Sequence, residues 1–154
     1  MQLNSCRPGG RAAAGFTLLE VLVAMVVLSI GLLGLSGLQT SSLRNNHSAL
    51  QRSQATMVSN DIIDRIRANR ETATLGNYDI NYGTAPTTAS CSSGCTALQV
   101  AQLDVAEWRT HVERLPGGQS ELDVTTAGVA TVKVRWADAR DSANKLEIIT
   151  RSQI

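Results

Sequence analysis

Histidine, proline and aromatic residues are scarce in this chain. Among 154 residues there are two histidines, three prolines, two tryptophans, two tyrosines and one phenylalanine. His47 and His111 stand in distant segments and leave few general bases for catalysis. The sequence also lacks a Gly-x-Ser-x-Gly elbow, a Gly-Lys-Ser/Thr phosphate loop and a His-Glu-x-x-His zinc motif. We therefore expect no enzyme and no cofactor.

An excess of charge of either sign is also missing. Lysine and arginine total 14 against 13 aspartate and glutamate, a formal net charge of +1. No basic excess points to nucleic acid or anionic lipid as a partner. The one local cluster of bases is Arg65, Arg67 and Arg70, which a solvated helix face explains equally well. Binding to surfaces or DNA, an alternative function, would need an exposed basic patch with aromatics.

One long apolar run dominates what is present. Phe16 to Leu38 is 23 residues with Glu20 as its one charged residue. At about 1.5 Å per residue a helix of this length crosses a hydrocarbon core of about 30 Å once. Arg7 and Arg11 precede the run, and no acidic residue does. The positive-inside rule therefore places the residues before the run on the cytoplasmic side of the membrane. The residues after Leu38 are then extracytoplasmic.

The start of the run carries a specific motif. A short basic leader ends in Gly15, followed by Phe-Thr-Leu-Leu-Glu20 and the apolar helix. This arrangement resembles the class III signal of type IV pilins and of type II secretion pseudopilins. The resemblance implies that a prepilin peptidase cuts after Gly15 and methylates the amino terminus of Phe16. It also implies that Glu20 pairs with the Phe16 ammonium of a neighbouring subunit. A plain signal anchor, with an acid favoured by the helix N-terminus, is the alternative.

Four regions follow from this interpretation: a cleaved leader (1–15), a transmembrane and assembly helix (16–38), an amphipathic continuation of the helix (39–70) and a periplasmic head domain (71–154). Cys6 is lost with the leader. The apolar stripe of the continuation is predicted to lie on the head domain, and a free juxtamembrane coiled coil is the alternative. The stripe consists of Leu43, Leu50, Met57, Val58, Ile62 and Ile66.

Two closely spaced cysteines lie near the end of a predicted loop in the head domain. Residues 71–93 are rich in polar and small side chains and read as a loop. Cys91 and Cys95 lie near its end, and in an oxidising compartment such a pair predicts a local disulfide. A zinc site would need two more ligands, which the two distant histidines do not readily supply.

One helix and three strands are predicted next. A one-sided apolar pattern between Thr96 and Leu115 predicts a helix with Trp108 in the core, and Thr96 with Gln99 has capping-box spacing. Period-two alternation then predicts three antiparallel strands. Their inward-facing residues are Leu122 and Val124, then Val132, Val134 and Trp136, then Leu146 and Ile148. The fold class is therefore α+β and pilin-like: a long N-terminal helix packed on a small antiparallel sheet, with one extra helix.

The resemblance favours a minor pilin that primes pilus assembly near the tip and supports piliation, twitching motility and adhesion. Its partners would be the prepilin peptidase, other minor pilins and the major pilin, the inner-membrane assembly platform and a tip adhesin. It would cross the bacterial inner membrane once and later reach the pilus at the cell surface. A type II secretion minor pseudopilin shares the same signal and is the alternative.

Overall fold

The computed structural model describes residues 15–92, 94–138 and 144–154. They belong to two compact units, which divide between Ser41 and Ser42. The predicted leader up to residue 14, with Arg7, Arg11 and Cys6, lies outside the described residues. So do residues 93 and 139–143.

The described residues contain three helices and a three-stranded sheet. The helices and strands are α1 (Leu18–Ala68), α2 (Arg70–Ala73), α3 (Ala97–Val112), β1 (Gln119–Val124), β2 (Val129–Ala137) and β3 (Lys145–Gln153). The strands form an antiparallel meander in the order β1-β2-β3. This arrangement confirms the predicted α+β, pilin-like fold.

The first unit consists of the apolar part of α1. Its large side chains lie on the surface, for example Leu22, Met25 and Leu33. By length and composition the helix could cross a membrane. Lipid is the solvent in which such an all-round apolar surface is stable, since no other described residue of this unit covers it.

In the second unit, α1 packs through a face that differs from the predicted stripe. Ile62 and Ile66 are fully buried as expected, and Val58 packs at the edge of the core. Leu43, Leu50 and Met57, however, are 60%, 54% and 70% exposed, so this part of the prediction is wrong. The residues buried in that stretch of the helix are Ser48, Ala55 and Ser59.

Small side chains explain this difference. Ser59 is buried, and its hydroxyl donates to the Ala55 carbonyl of the same helix at 2.8 Å. The Ser48 hydroxyl donates to the Asp138 carboxylate at 3.0 Å. Small residues let a helix approach its neighbour closely, whereas a search for large apolar side chains looks for a different face.

Helix α1 ends at Ala68, slightly before the predicted end near Arg70. Asn69 leaves the helical region with φ −126° and ψ 43°. Its side-chain amide donates to the Tyr78 hydroxyl at 3.2 Å and to the Ala97 carbonyl at 2.8 Å. Asparagine side chains compete with helical hydrogen bonds in this way, and here the competition ends the helix.

Helix α3 forms as predicted. The Thr96 hydroxyl accepts from the Gln99 N–H, and the Gln99 side chain accepts from the Thr96 N–H, which completes the capping box. Trp108 is fully buried, and its indole N–H donates to the Val58 carbonyl at 3.0 Å. Leu98 is 46% exposed, so the buried stripe of α3 begins at Ala101.

The inward faces of β1 and β2 are buried as predicted, and Leu146 and Ile148 of β3 pack partly buried against the core. On the outward face Glu121 lies directly opposite Lys133, and their side chains form an ion pair at 2.6 Å. Arg135 lies between Gln119 and Glu147, and its guanidinium stacks on the Tyr82 ring at 3.8 Å.

The segment 71–93, which was predicted to be a loop, makes more contacts with the core than its composition indicated. It begins with the single turn of α2, and Ile80 then pairs with Leu122 in an isolated bridge. Tyr78 is fully buried. Cys91 and Cys95 form a disulfide with their Cα atoms 5.3 Å apart, which confirms the predicted bond.

Candidate processing and assembly site

The residues of the candidate site lie at the N-terminal end of α1. Gly15, Phe16 and Thr17 precede the helix, which begins at Leu18. The Thr17 carbonyl accepts from the N–H groups of Glu20 at 3.1 Å and Val21 at 3.3 Å. The Thr17 hydroxyl accepts from the Glu20 N–H at 3.3 Å, so Thr17 acts as the N-cap.

Glu20 has no partner for its carboxylate in the part of the chain that the structure describes. None of the ion pairs or side-chain hydrogen bonds found there includes a Glu20 oxygen. The next charged residue in the sequence is Arg44, which belongs to the second unit. Its location in the first turn gives the carboxylate some stabilisation from the helix dipole.

An exposed apolar groove connects Glu20 with the first residue after the predicted cleavage site. Phe16 is 83% exposed. The groove is lined by Phe16, Glu20, Val21, Ala24, Met25 and Leu28. The structure thus brings Phe16 and Glu20 to one surface. A Cβ atom built on Gly15 would have no neighbour within 4 Å.

Sequence reasoning missed the separate role of Thr17. It treated Thr17 as one letter of the motif, although Thr17 and Glu20 have the Ser/Thr-x-x-Glu spacing of a helix start. That spacing was the signal that could have located the N-cap. It separates the Gly15–Phe16 bond from the helix.

A second group of charged residues ties α1 to α3. Arg65 forms ion pairs with Asp61 at 3.1 Å, Asp104 at 3.2 Å and Glu107 at 2.7 Å. The hydrogen bond with Glu107 is the main cause that raises the pKa of Arg65, and it lowers the pKa of Glu107. This cluster joins two helices of the second unit and is structural.

Tyr78 connects the same cluster to the irregular segment. Its hydroxyl donates to Asp104 at 2.8 Å and accepts from Asn69. Burial, and then the hydrogen bond to Asp104, raise the pKa of Tyr78 well above its ordinary value. In the described ranges no three His, Cys, Asp or Glu side chains are grouped as metal ligands.

Two family models match the chain. Residues 10–36 match the prokaryotic N-terminal methylation motif, and residues 37–106 match the family described as type IV pilin Tt1218. No curated protein and no solved structure matches the chain.

The long N-terminal helix, the small antiparallel sheet and the extra helix define the pilin fold. With the methylation motif, these features make the chain similar to type IV pilins that carry a prepilin signal. Pilins are structural proteins rather than enzymes. The motif and the apolar helix indicate processing by a peptidase, membrane anchoring and assembly with other pilins.

Proposed function

We propose that this chain is a minor pilin that is stored in the inner membrane and primes assembly of a type IV pilus. The prepilin peptidase cleaves after Gly15 and methylates Phe16. The remaining chain crosses the membrane once, and its head lies in the periplasm until the subunit enters the pilus near the tip. Its partners are other minor pilins, the major pilin and the inner-membrane assembly platform.

The observation that carries this proposal is the unpaired Glu20 carboxylate. A carboxylate in an apolar, membrane-length helix costs about 2.5 to 3.5 kcal/mol on insertion scales. Nothing in the described chain offsets that cost with an opposite charge. A neighbouring subunit does offer one, because cleavage after Gly15 creates an ammonium group on its Phe16.

Pairing between subunits makes both charges tolerable in a low-dielectric environment. A buried ion pair is weak evidence for stability, but loss of one partner costs about 3 to 5 kcal/mol because the other charge is left alone. Phe16 and Glu20 line the same exposed groove, so both groups of the pair are presented on the outside of α1. Assembly then depends on Glu20, whereas folding of the head does not.

The minor-pilin assignment rests on resemblance further along the chain. Four features follow one another along the chain: the Cys91–Cys95 pair, a helix containing Trp108, the segment Leu115-Pro116-Gly117-Gly118, and a strand that ends Val134-Arg135-Trp136-Ala137-Asp138. This order resembles the minor pilin PilV. Minor pilins of this kind support piliation, twitching motility and adhesion.

The test is a Glu20→Ala variant expressed at the native level. Removing a charge from the helix makes insertion easier, so we expect normal cleavage and normal amounts of membrane-bound protein. Recovery in sheared pili, the number of pili per cell and twitching should all fall. Glu71→Ala is the matched control, because Glu71 is an exposed carboxylate outside the apolar helix and should be neutral.

Wild-type incorporation and piliation by Glu20→Ala would refute subunit pairing. Recovery of the chain with the pseudopilins of a type II secretion system, and its absence from sheared pili, would instead assign it to that apparatus. Glu20→Asp retains the charge on a shorter side chain and should recover part of the assembly.

A further inference from the structure

The backbone around the predicted cleavage site is held outside the helix. Gly15, Phe16 and Thr17 are not helical, and α1 begins at the next residue. Among the described residues, the first carbonyl to accept a hydrogen bond in α1 is that of Thr17. The Gly15–Phe16 peptide bond therefore lies two residues before the first helical residue, and Phe16 is largely exposed.

The alanines before Gly15 favour a longer helix, and Gly15 itself opposes it by about 1 kcal/mol relative to alanine. Ala12, Ala13 and Ala14 precede Gly15, and alanine has the highest helix propensity. If the helix continued back into this run, the Gly15 carbonyl oxygen would accept from the Leu19 N–H four residues later. That oxygen belongs to the scissile bond. A helical hydrogen bond would occupy it and would keep the peptide out of an extended form.

Thr17 supplies a stop signal. Its hydroxyl accepts from the Glu20 N–H at 3.3 Å and its carbonyl accepts from the same N–H at 3.1 Å, so this donor is satisfied by Thr17 and does not use the Phe16 carbonyl. An N-cap residue has non-helical backbone angles, so the residues before it leave the helix. The Thr17 side chain is exposed and donates no hydrogen bond to another residue among those described.

We propose that Thr17 is a positioning residue for prepilin cleavage: as the N-cap of α1, it keeps the Gly15–Phe16 bond unwound and available to the peptidase. This inference rests on the proposed processing at Gly15. It assigns to Thr17 a role that does not require contact with the enzyme. Glu20 takes part through its backbone N–H, independently of its carboxylate.

The size of the effect follows from the strength of N-caps. Replacing an N-cap threonine by a non-capping residue costs about 1 kcal/mol, which is about fivefold in an equilibrium. We therefore expect the cleavage rate at subsaturating precursor to fall about three- to tenfold. A total block is not expected, because the uncapped helix still frays at its end.

The experiment compares four full-length precursors in detergent with purified prepilin peptidase: wild type, Thr17→Val, Thr17→Asn and Thr17→Ser. Valine has nearly the shape of threonine but cannot cap, whereas asparagine caps well with a different shape. Capping predicts slow cleavage of Thr17→Val and near wild-type cleavage of Thr17→Asn and Thr17→Ser. Recognition of the threonine shape by the enzyme predicts the reverse order for valine and asparagine.

A second measurement reports the backbone directly. Phe16 is the sole phenylalanine of the chain, so isotope-labelled phenylalanine gives a single NMR signal from the intact precursor. Its Cα shift should be non-helical in wild type, Thr17→Asn and Thr17→Ser, and should move toward helical values in Thr17→Val.

Slow cleavage of Thr17→Val together with a helical shift at Phe16 would support the proposal. Wild-type cleavage of Thr17→Val, or slow cleavage of Thr17→Asn with Phe16 still non-helical, would overturn it. If the wild-type precursor itself is not cleaved after Gly15, the proposed function fails instead, so the two failures are distinct.

Discussion

At the scale of single residues, Arg65 takes part in three of the five ion pairs found among the described residues of the second unit. Its guanidinium pairs with three carboxylates, of which Asp104 has the least exposed side chain at 16%. Loss of the cation would leave these acids close together and one of them largely desolvated. Arg67 is a natural comparison, because its pair with Asp64 is much more exposed.

Arg65→Gln should destabilise the protein by about 1 to 3 kcal/mol, since a charged partner is removed from a poorly exposed carboxylate. Arg67→Gln should cost less than about 0.5 kcal/mol, as is usual for exposed pairs. Urea unfolding of the mature chain in detergent measures both values. The fluorescence of Trp108 and Trp136 reports the transition, because both side chains are fully buried. Equal costs for the two variants would contradict this account.

The same cluster predicts a pH dependence with a definite sign. Arg65 lowers the pKa of Glu107 in the folded state, mainly through their hydrogen bond. A lowered folded pKa stabilises the protein above the unfolded value, about 4.3, and this contribution is lost as the pH falls through the lowered pKa. Stability of Arg65→Gln should therefore fall less steeply below about pH 4.3 than that of the wild type. The difference is small because Glu107 is exposed to water.

At the scale of elements, the sequence patterns predicted α3 and the strands well. In α3 a threonine cap, a regular apolar face and a terminal Pro-Gly-Gly all agree. In β2 every second residue is apolar and buried, whereas the same face of β1 and β3 also carries Ser120, Thr150 and Ser152. Such signals are local, and several of them along one segment give the same prediction. Local consistency of this kind is what makes an element predictable.

The buried face of α1 was not predictable in the same way. Ser48, Ala55 and Ser59 carry no hydrophobic signal, and their burial depends on the strands and α3 that pack beside them. The partners of Arg135 are equally non-local, since Tyr82 reaches the outward face of the sheet from a segment with no periodicity. At the candidate site, the motif located Gly15, Phe16 and Glu20 but not the cap formed by Thr17.

The disulfide should stabilise the start of α3. Cys95 immediately precedes the N-cap Thr96, so the Cys91–Cys95 bond limits the freedom of the chain where the helix begins. Thiol labelling of the mature protein without reductant should find both cysteines protected, and both should react after reduction and unfolding. A closed loop of about five residues contributes roughly 2 kcal/mol in the chain-entropy model. Free thiols in the unreduced mature protein would contradict the bond.

At the scale of the whole molecule, the charges divide unequally between the two units. In the described part of the first unit Glu20 is the one charged side chain, whereas every ion pair found among the described residues lies in the second. Residues 1–15 contribute Arg7 and Arg11, so the proposed cleavage after Gly15 would change the formal net charge from +1 to −1. The proposed processing would therefore remove the basic leader and create the ammonium group that Glu20 is proposed to meet.

Gly15→Val should block this processing and leave a precursor about 15 residues longer, which is anchored in the membrane but does not assemble. A Cβ atom at Gly15 meets nothing within 4 Å, so the substitution does not disturb the described fold, and its effect reports the peptidase alone. Immunoblots of membranes resolve the two lengths, and sheared pili show whether the chain is incorporated. Gly15→Ala, which adds a single methyl group, is the control and should be cleaved better than Gly15→Val. Normal maturation of Gly15→Val would refute cleavage after Gly15 and, with it, the Phe16 ammonium on which subunit pairing depends.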